Sequence, residues 1–179
     1  MLTTERLRLR SWQIRDATRL RAITNNPCVV RHVGGGEFWT EARVDEFIER
    51  QQRTRRELGY CLWAAELIGE IEPAGYVGLQ PLGDSGEVEI GWLLDEPYWG
   101  RGLATEAAAC AMNHGFEQIG VERLVAIAVP DNHASINVMR KLGMSYERHL
   151  QWKGFEVVLH ASFNPATRAK PASGTQSPE

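Results

Sequence analysis

The stretch PYWGRGLATEA, residues 97–107, limits what this chain can become more than any other. Gly100, Gly102 and Ala104 take every second position, and the chain then runs without a break into an alanine-rich helical pattern. A bend explains one glycine. Three small residues in alternation at a helix start leave the backbone open to something from outside the chain. A helix N-terminus carries N–H groups with no intrahelical partner, and its aligned peptide dipoles concentrate roughly half a positive charge there. Gly100, Gly102 and Ala104 therefore fit a cradle for a phosphate or pyrophosphate, because no bulky side chain stands between the oxygens and the amides.

A P-loop is excluded, since it needs Gly-Lys followed by Ser or Thr and this stretch reads Gly102-Leu103-Ala104. The dinucleotide fingerprint matches poorly. It requires a glycine where Thr105 stands and an early strand-helix-strand unit, whereas three strand patterns in a row precede this site.

Those strand patterns belong to a regular alternation along the chain. ERLRLRSW alternates Leu7 and Leu9 with arginines, the period of a half-buried strand. Ile14, Ala17, Leu20 and Ile23 then recur at helical spacing with Asp16 in the first turn, predicting a helix that ends near Asn25 and Pro27. GGGEF is a loop, and Thr40 opens a second helix with the stripe Val44, Phe47, Ile48 and a stop at Gly59. Its arginines Arg50, Arg53, Arg55 and Arg56 read as a solvated last turn, the alternative being a role with an anionic partner. YCLWAAEL and AGYVGLQPL form an antiparallel pair, and EVEIGWLL adds a third strand. A helix from Leu103 to about Gln118, a buried strand RLVAIAV, a helix NHASINVMRKL stopped by Gly143, and strands ERHLQW and FEVVLHASF complete the order. The predicted class is α/β (α+β), with one mixed central sheet of about seven strands and about four helices. The domain covers residues 1–163, and residues 164–179, rich in Pro, Ala, Ser and Thr, are expected to be disordered.

At 179 residues one domain is the expectation, and no apolar run approaches the length of a membrane span. The alternating N-terminus is unlike a secretory signal. Cys28, Cys61 and Cys110 are odd in number and sit among apolar residues, so they are expected to be buried thiols in a reducing cytoplasm. The histidines show no metal-ligand spacing, and no metal is expected. Residues 61–100 hold eight acids and no Lys or Arg, whereas residues 1–60 hold twelve arginines against eight acids. This distribution argues against nucleic acid and for a cationic or neutral partner molecule, unless the carboxylates only solvate sheet edges and turns. No membrane association is expected, and the chain is read as a monomer or homodimer.

EIGWLLDEPYWGRGLATEA and, further on, NHASINVMRKLGM resemble the two signature segments of the GCN5-related N-acetyltransferases (GNAT), closest to the RimJ/RimL-type branch. With TERLRLRSW near the start, the likeness spans residues 2–163. The resemblance implies transfer of the acetyl group of acetyl-CoA to an amine, on a protein N-terminus or a small molecule. It implies a strongly twisted sheet whose fourth and fifth strands splay apart, with the pantetheine arm in the gap against the backbone of Leu93 and Leu94. It assigns the pyrophosphate loop to Trp99, Gly100, Arg101, Gly102, Leu103, Ala104 and Thr105, and a contact with the CoA arm to Asn132. The family pattern begins this loop with Gln or Arg; Trp99 stands there, and a contact made by backbone amides tolerates the change.

An alkyl amine with a pKa of about 10 is protonated at neutral pH, so a carboxylate base helps the reaction. Glu87 and Glu89 share one face of their strand by alternation. Glu89 is preferred because the EIG segment recurs in this family branch, the alternative being a strand carboxylate held by polar neighbours. Oxyanion stabilisation by a backbone N–H near Leu94 is implied by the resemblance. For the leaving thiolate, many relatives place a tyrosine where this chain has Met139, so Ser135 is assigned as donor, with a polar cap residue as its alternative. Tyr146 is a second possible donor. Asn132 reads as the helix N-cap in PDNHAS as well as a CoA contact. Cys110 lies inside the alanine-rich helix, a poor setting for a nucleophile, which favours direct attack in a ternary complex. The missing tyrosine leaves a non-catalytic acyl-CoA sensing domain as the alternative function. Residues 31–39 and 152–155 are expected to select the acceptor.

Overall fold

The computed structural model describes residues 1–168. A two-residue strand, β1 (Leu2–Thr3), pairs antiparallel with β2 (Leu7–Arg10), whose Leu7 and Leu9 are fully buried while Arg8 and Arg10 turn the other way. Helices α1 (Ala17–Thr24), α2 (Pro27–Val30) and α3 (Glu41–Leu58) follow. Thr40 caps α3 by accepting from Arg43 N at 3.2 Å, and Gly59 ends it. Then come β3 (Leu62–Leu67), β4 (Pro73–Pro81), β5 (Val88–Leu94), α4 (Leu103–His114), β6 (Arg123–Ala128), α5 (His133–Lys141), β7 (Ser145–Trp152), β8 (Phe155–Phe163) and α6 (Pro165–Arg168). The helical trace after α4 continues to Ile119 as a single π-helical stretch, Gly115–Ile119.

The sheet has eight strands in the order β1-β2-β3-β4-β5-β6-β8-β7, one more than the sequence pattern suggested. The extra strand is β1, too short to show any periodicity. Every pair is antiparallel except β5 with β6, and that pair has only two registered positions, Val88 with Leu124 and Glu89 with Val125. Beyond Glu89 the two strands part. Side-chain alternation then gives the sheet two faces. Leu79, Ile90, Leu94, Leu124 and Ala126 pack with α4 and Met139 of α5, while Leu62, Tyr76 and Leu93 pack with Leu20, Ile23, Val44, Phe47 and Ile48 of α1 and α3.

The charge asymmetry along the chain proves to be structural. Arg10 bonds Asp16 at 2.7 Å and Glu66 at 2.6 Å, Arg19 bonds Asp95 at 2.7 Å, and Glu87 pairs with Arg123. Arg10–Glu66 and Arg19–Asp95 join arginines early in the chain to carboxylates of the acidic middle.

Two expectations are corrected. Disorder from residue 164 does not hold at its start: Asn164 is buried, donates to Phe116 O at 3.0 Å and accepts from Ala166 N at 3.0 Å as α6 begins. Residues 169–179, the remainder of that expectation, lie outside the described residues. Cys28 is exposed rather than buried, because α2 turns Val29 and Val30 to the interior and leaves Cys28 outside. Cys61 is buried, and burial pushes its thiol up to about 12; Cys110 is half-buried. Among the described residues no helix is long and apolar enough to cross a membrane, and no group of three His, Cys, Asp or Glu side chains gathers to hold a metal ion.

Candidate active site

The parting of β5 from β6 leaves backbone without a strand partner in the middle of a sheet. Asp95 N donates to Ala74 O at 2.8 Å and Leu82 N to Glu87 O at 2.9 Å, so odd-numbered residues of β5 turn their peptide groups toward β4. Ile90, Trp92 and Leu94 turn theirs toward β6, which past Glu89 no longer runs beside them. The Leu94 carbonyl is taken by the Trp99 indole N–H at 2.7 Å.

A cavity of about 720 Å³ occupies this gap. One end is the start of α4. Gly102, the N-cap, has φ 78° and Gly100 has φ 72°, a left-handed conformation that costs an L-residue about 1–2 kcal/mol. A Cβ on Gly100 would project into open space with no protein atom within 4 Å. Gly102 supplies no side-chain cap, so the first N–H groups of α4 stay available. Glu106, in the first turn of α4, does not spoil this positive end. Burial alone would raise its carboxyl, but hydrogen bonds from Thr4 (2.6 Å) and from Arg6 N (2.9 Å) and Nε (2.7 Å) outweigh burial and hold it below the usual carboxylate range.

Trp92, Leu93, Leu94, Trp99, Gly100 and Gly102 line the cavity, as do Leu103, Ala104, Thr105, Asn132 and Ser135. Arg101 does not: its carbonyl accepts from Arg6 at 2.9 Å and its guanidinium lies over the Tyr98 ring, 5.8 Å from the centroid. Asn132 caps α5 by accepting from Ser135 N at 3.1 Å, and Ser135 Oγ accepts from the Trp92 indole at 3.3 Å. Ser135 is thus fixed beside the splayed strand. Met139 is 1% exposed in the core, and Tyr146, 54% exposed, stacks on His149 and His160 away from the cavity. The cavity residues sequence reasoning missed are Pro27, Cys28 and Val29 of α2, while Arg31, His32 and Val33 of the stretch expected to select the acceptor also line this cavity. The available signal was Asn26-Pro27, a cap residue followed by a proline suited to the first helical position. His32 Nδ1 lies 3.7 Å from Asp131 Oδ1, so the α2 side and the α5 side meet there.

Glu89 is not in the cavity lining but on the opposite face of β5, in the row Glu89, Gly91, Leu93. Burial pushes its carboxyl up to about 7, while a hydrogen bond from Gln80 at 2.7 Å and the Lys153 ammonium pull it down. A base that titrates near neutrality suits proton removal from an amine. Glu87 is excluded from that role by its ion pair with Arg123. The two loops expected to select the acceptor meet here: a Cβ on Gly35 would lie 2.7 Å from the Phe155 ring at the β7–β8 turn.

The helix start of α4 thus offers N–H groups without a side-chain cap, and the parted end of β5 offers backbone groups without a partner from β6. Comparison with known proteins gives the family. Residues 6–145 match the acetyltransferase (GNAT) domain. The chain is 33% identical over 168 residues to the YkkB protein of Bacillus subtilis (strain 168), covering 91% of this chain and 96% of that one. It is 28% identical over 165 residues to the spermidine N(1)-acetyltransferase of Escherichia coli (strain K12), covering 87% and 81%. The solved acetyltransferase from Agrobacterium tumefaciens str. C58 is similar with a TM-score of 0.79 at 27% identity, covering 90% of this chain and 92% of that one. A domain match through most of the sheet and a relative matched nearly end to end thus join the parted strands in one conclusion: the chain belongs to the GNAT acetyltransferases.

Proposed function

We propose that the protein moves the acetyl group of acetyl-CoA to a primary amine by direct attack in a ternary complex, as a RimJ/RimL-type enzyme. The observation that carries this reading is the two-position pairing of β5 with β6, which opens a cavity from the start of α4 to the start of α5. The N–H groups at Gly102, Leu103, Ala104 and Thr105 hold the pyrophosphate, with Gly100 leaving room. Trp92 offers backbone groups to the pantetheine amides in place of the expected Leu93, whose peptide groups turn toward β4, while the Leu94 carbonyl is taken by Trp99; Asn132 contacts the same arm. Acetyl-CoA supplies an activated thioester at the mouth of the gap.

The acid and the base then lie on opposite faces of β5. Glu89 takes the proton of the incoming ammonium, directly or through water, and the Leu94 N–H faces the developing oxyanion. Ser135, held by Trp92 and by the α5 cap, donates to the departing sulfur. The free cysteines fit a reducing, cytoplasmic setting.

The test is free-thiol release from acetyl-CoA with peptides of varied N-termini, polyamines, amino acids and aminoglycosides as acceptors, alongside calorimetry of acetyl-CoA. Release with one class establishes the reaction. Acetyl-CoA binding with no release from any class overturns it in favour of a sensing domain.

A further inference from the structure

The acidic middle of the chain favoured a cationic or neutral partner molecule, but five of its eight carboxylates are engaged elsewhere. Glu66 is bound by Arg10, Glu72 and Asp95 lie against Arg19, Glu87 pairs with Arg123, and Glu70 accepts from the Tyr98 hydroxyl. Of that group, Glu87 and Glu89 share the row with Leu93, and Glu87 is held by Arg123, so Glu89 is the carboxyl left to the acceptor face.

What surrounds that row is positive. Arg43, Phe47 and Arg50 follow one stripe of α3, at helical spacing. Arg50 lies over the Phe47 ring, 5.6 Å from its centroid, and Phe47 lies 5.2 Å from the Tyr76 ring. Tyr76 stands opposite Leu93 in register, and Leu93 lines the cavity. The Tyr76 hydroxyl feels Glu89, Arg50 and Arg43 together, the carboxylate reinforcing the effect of burial and the two arginines opposing it. Arg43 is shared with Glu37 at 3.6 Å, but among the described residues Arg50 has no ion-pair partner. Trp39, 7% exposed and 5.3 Å from Phe47, has a buried indole N–H with no hydrogen-bond partner among the described residues. Lys153 extends from the β7–β8 turn over the Trp152 ring.

We propose that the acceptor carries an anionic group, a carboxylate or a phosphate, beside its amine, with Arg50 as its anchor. Glu89 receives the amine end. The same positive surroundings disfavour polyamines, whose further ammonium groups face Arg43, Arg50 and Lys153. The proposal rests on the acetyltransferase reading above and narrows its substrate class. An oxyanion also gives Arg50 the ion-pair partner it lacks among the described residues.

The experiment pairs acceptors that differ by one anion: O-phosphoethanolamine against ethanolamine, and glycine against glycinamide, with spermidine as the polyamine. Thiol release gives kcat and KM for each, and calorimetry gives binding of O-phosphoethanolamine without turnover. The expected result is kcat/KM at least about tenfold higher for the anionic member of a pair, the scale of one charge-assisted hydrogen bond. Arg50→Ala should raise KM for that member about tenfold with little change in kcat, and Arg50→Lys should recover most of the loss. Preference for spermidine over both anionic amines, or an unchanged KM in Arg50→Ala, overturns the inference while leaving the acetyltransferase reading intact. Arg50-dependent binding of O-phosphoethanolamine without thiol release from any acceptor supports the anion site and overturns the reaction instead.

Discussion

The two faces of β5 are built from different materials. On the α4 and α5 side, the groups proposed to hold CoA are mostly backbone: the start of α4, the peptide groups turned toward β6, and the capped first turn of α5. On the α3 side, the site consists of side chains brought from α3, β4, β5 and the β7–β8 turn. Backbone donors accept any acyl-CoA whose arm can add to the strand. Side chains discriminate between amines. One strand thus separates a general half from a selective half, and changes on its two faces should affect different steps.

The largest separation is expected from Glu89→Gln. Loss of a general base should lower kcat about a hundredfold or more, with acetyl-CoA affinity unchanged in calorimetry. In the wild type, kcat/KM should climb as pH rises through about 7, because burial holds the carboxyl protonated below that point and only the ionised form takes a proton. The Gln variant should lose this limb of the profile. On the other face, Gly100→Val should weaken acetyl-CoA binding about tenfold or more while acceptor KM stays put, and should cost about 1–2 kcal/mol of stability at its left-handed φ. Gly100→Asn separates the two effects, since Asn tolerates that conformation better yet still fills the open space.

Ser135→Ala sharpens the comparison, because Ser135 sits on the backbone-built side while its proposed role is in the chemistry. Its kcat should fall up to about tenfold with acetyl-CoA affinity retained. The smallest effect belongs to Glu106→Gln. The part-exposed Arg6 pair makes this worth about 1 kcal/mol in thermal unfolding. Glu106 is held below the usual carboxylate range, so its stabilisation is present above the unfolded pKa and disappears as pH falls through the folded one. The Gln variant should therefore differ from the wild type at neutral pH and converge with it in acid.

The same division explains what was legible in the sequence. Gly100, Gly102 and Ala104 announce an open helix start because missing side chains are visible in a single line of sequence, and Asn132 announces a cap from the residue type that precedes a helix. Strand and helix periods located β2 to β8, α1 and α3 to α5. β1 and α2 span two and four residues, too few for a period to register, and α2 nevertheless supplies a cavity wall and exposes Cys28. Arg101 lies within the motif yet turns to Tyr98, since position in a loop does not fix side-chain direction. The acceptor face was the least legible. Arg50 reads locally as a solvated residue near a helix end, and only the tertiary placement of Phe47 against Tyr76 brings it toward the row of Glu89. The acidic middle misled for a related reason: its carboxylates meet arginines far away in sequence and close in the sheet.

The central claim is that β5 divides donor binding from acceptor chemistry. It is tested most directly by a double-mutant cycle of Gly100→Val and Glu89→Gln, with acetyl-CoA affinity from calorimetry and kcat from thiol release. Gly100→Val should change acetyl-CoA affinity alone, Glu89→Gln should change kcat alone, and the two should add in the double variant within about 0.5 kcal/mol. If each variant shifts both quantities, or if the double variant is no worse than one single, the two faces act as one site and the division is wrong.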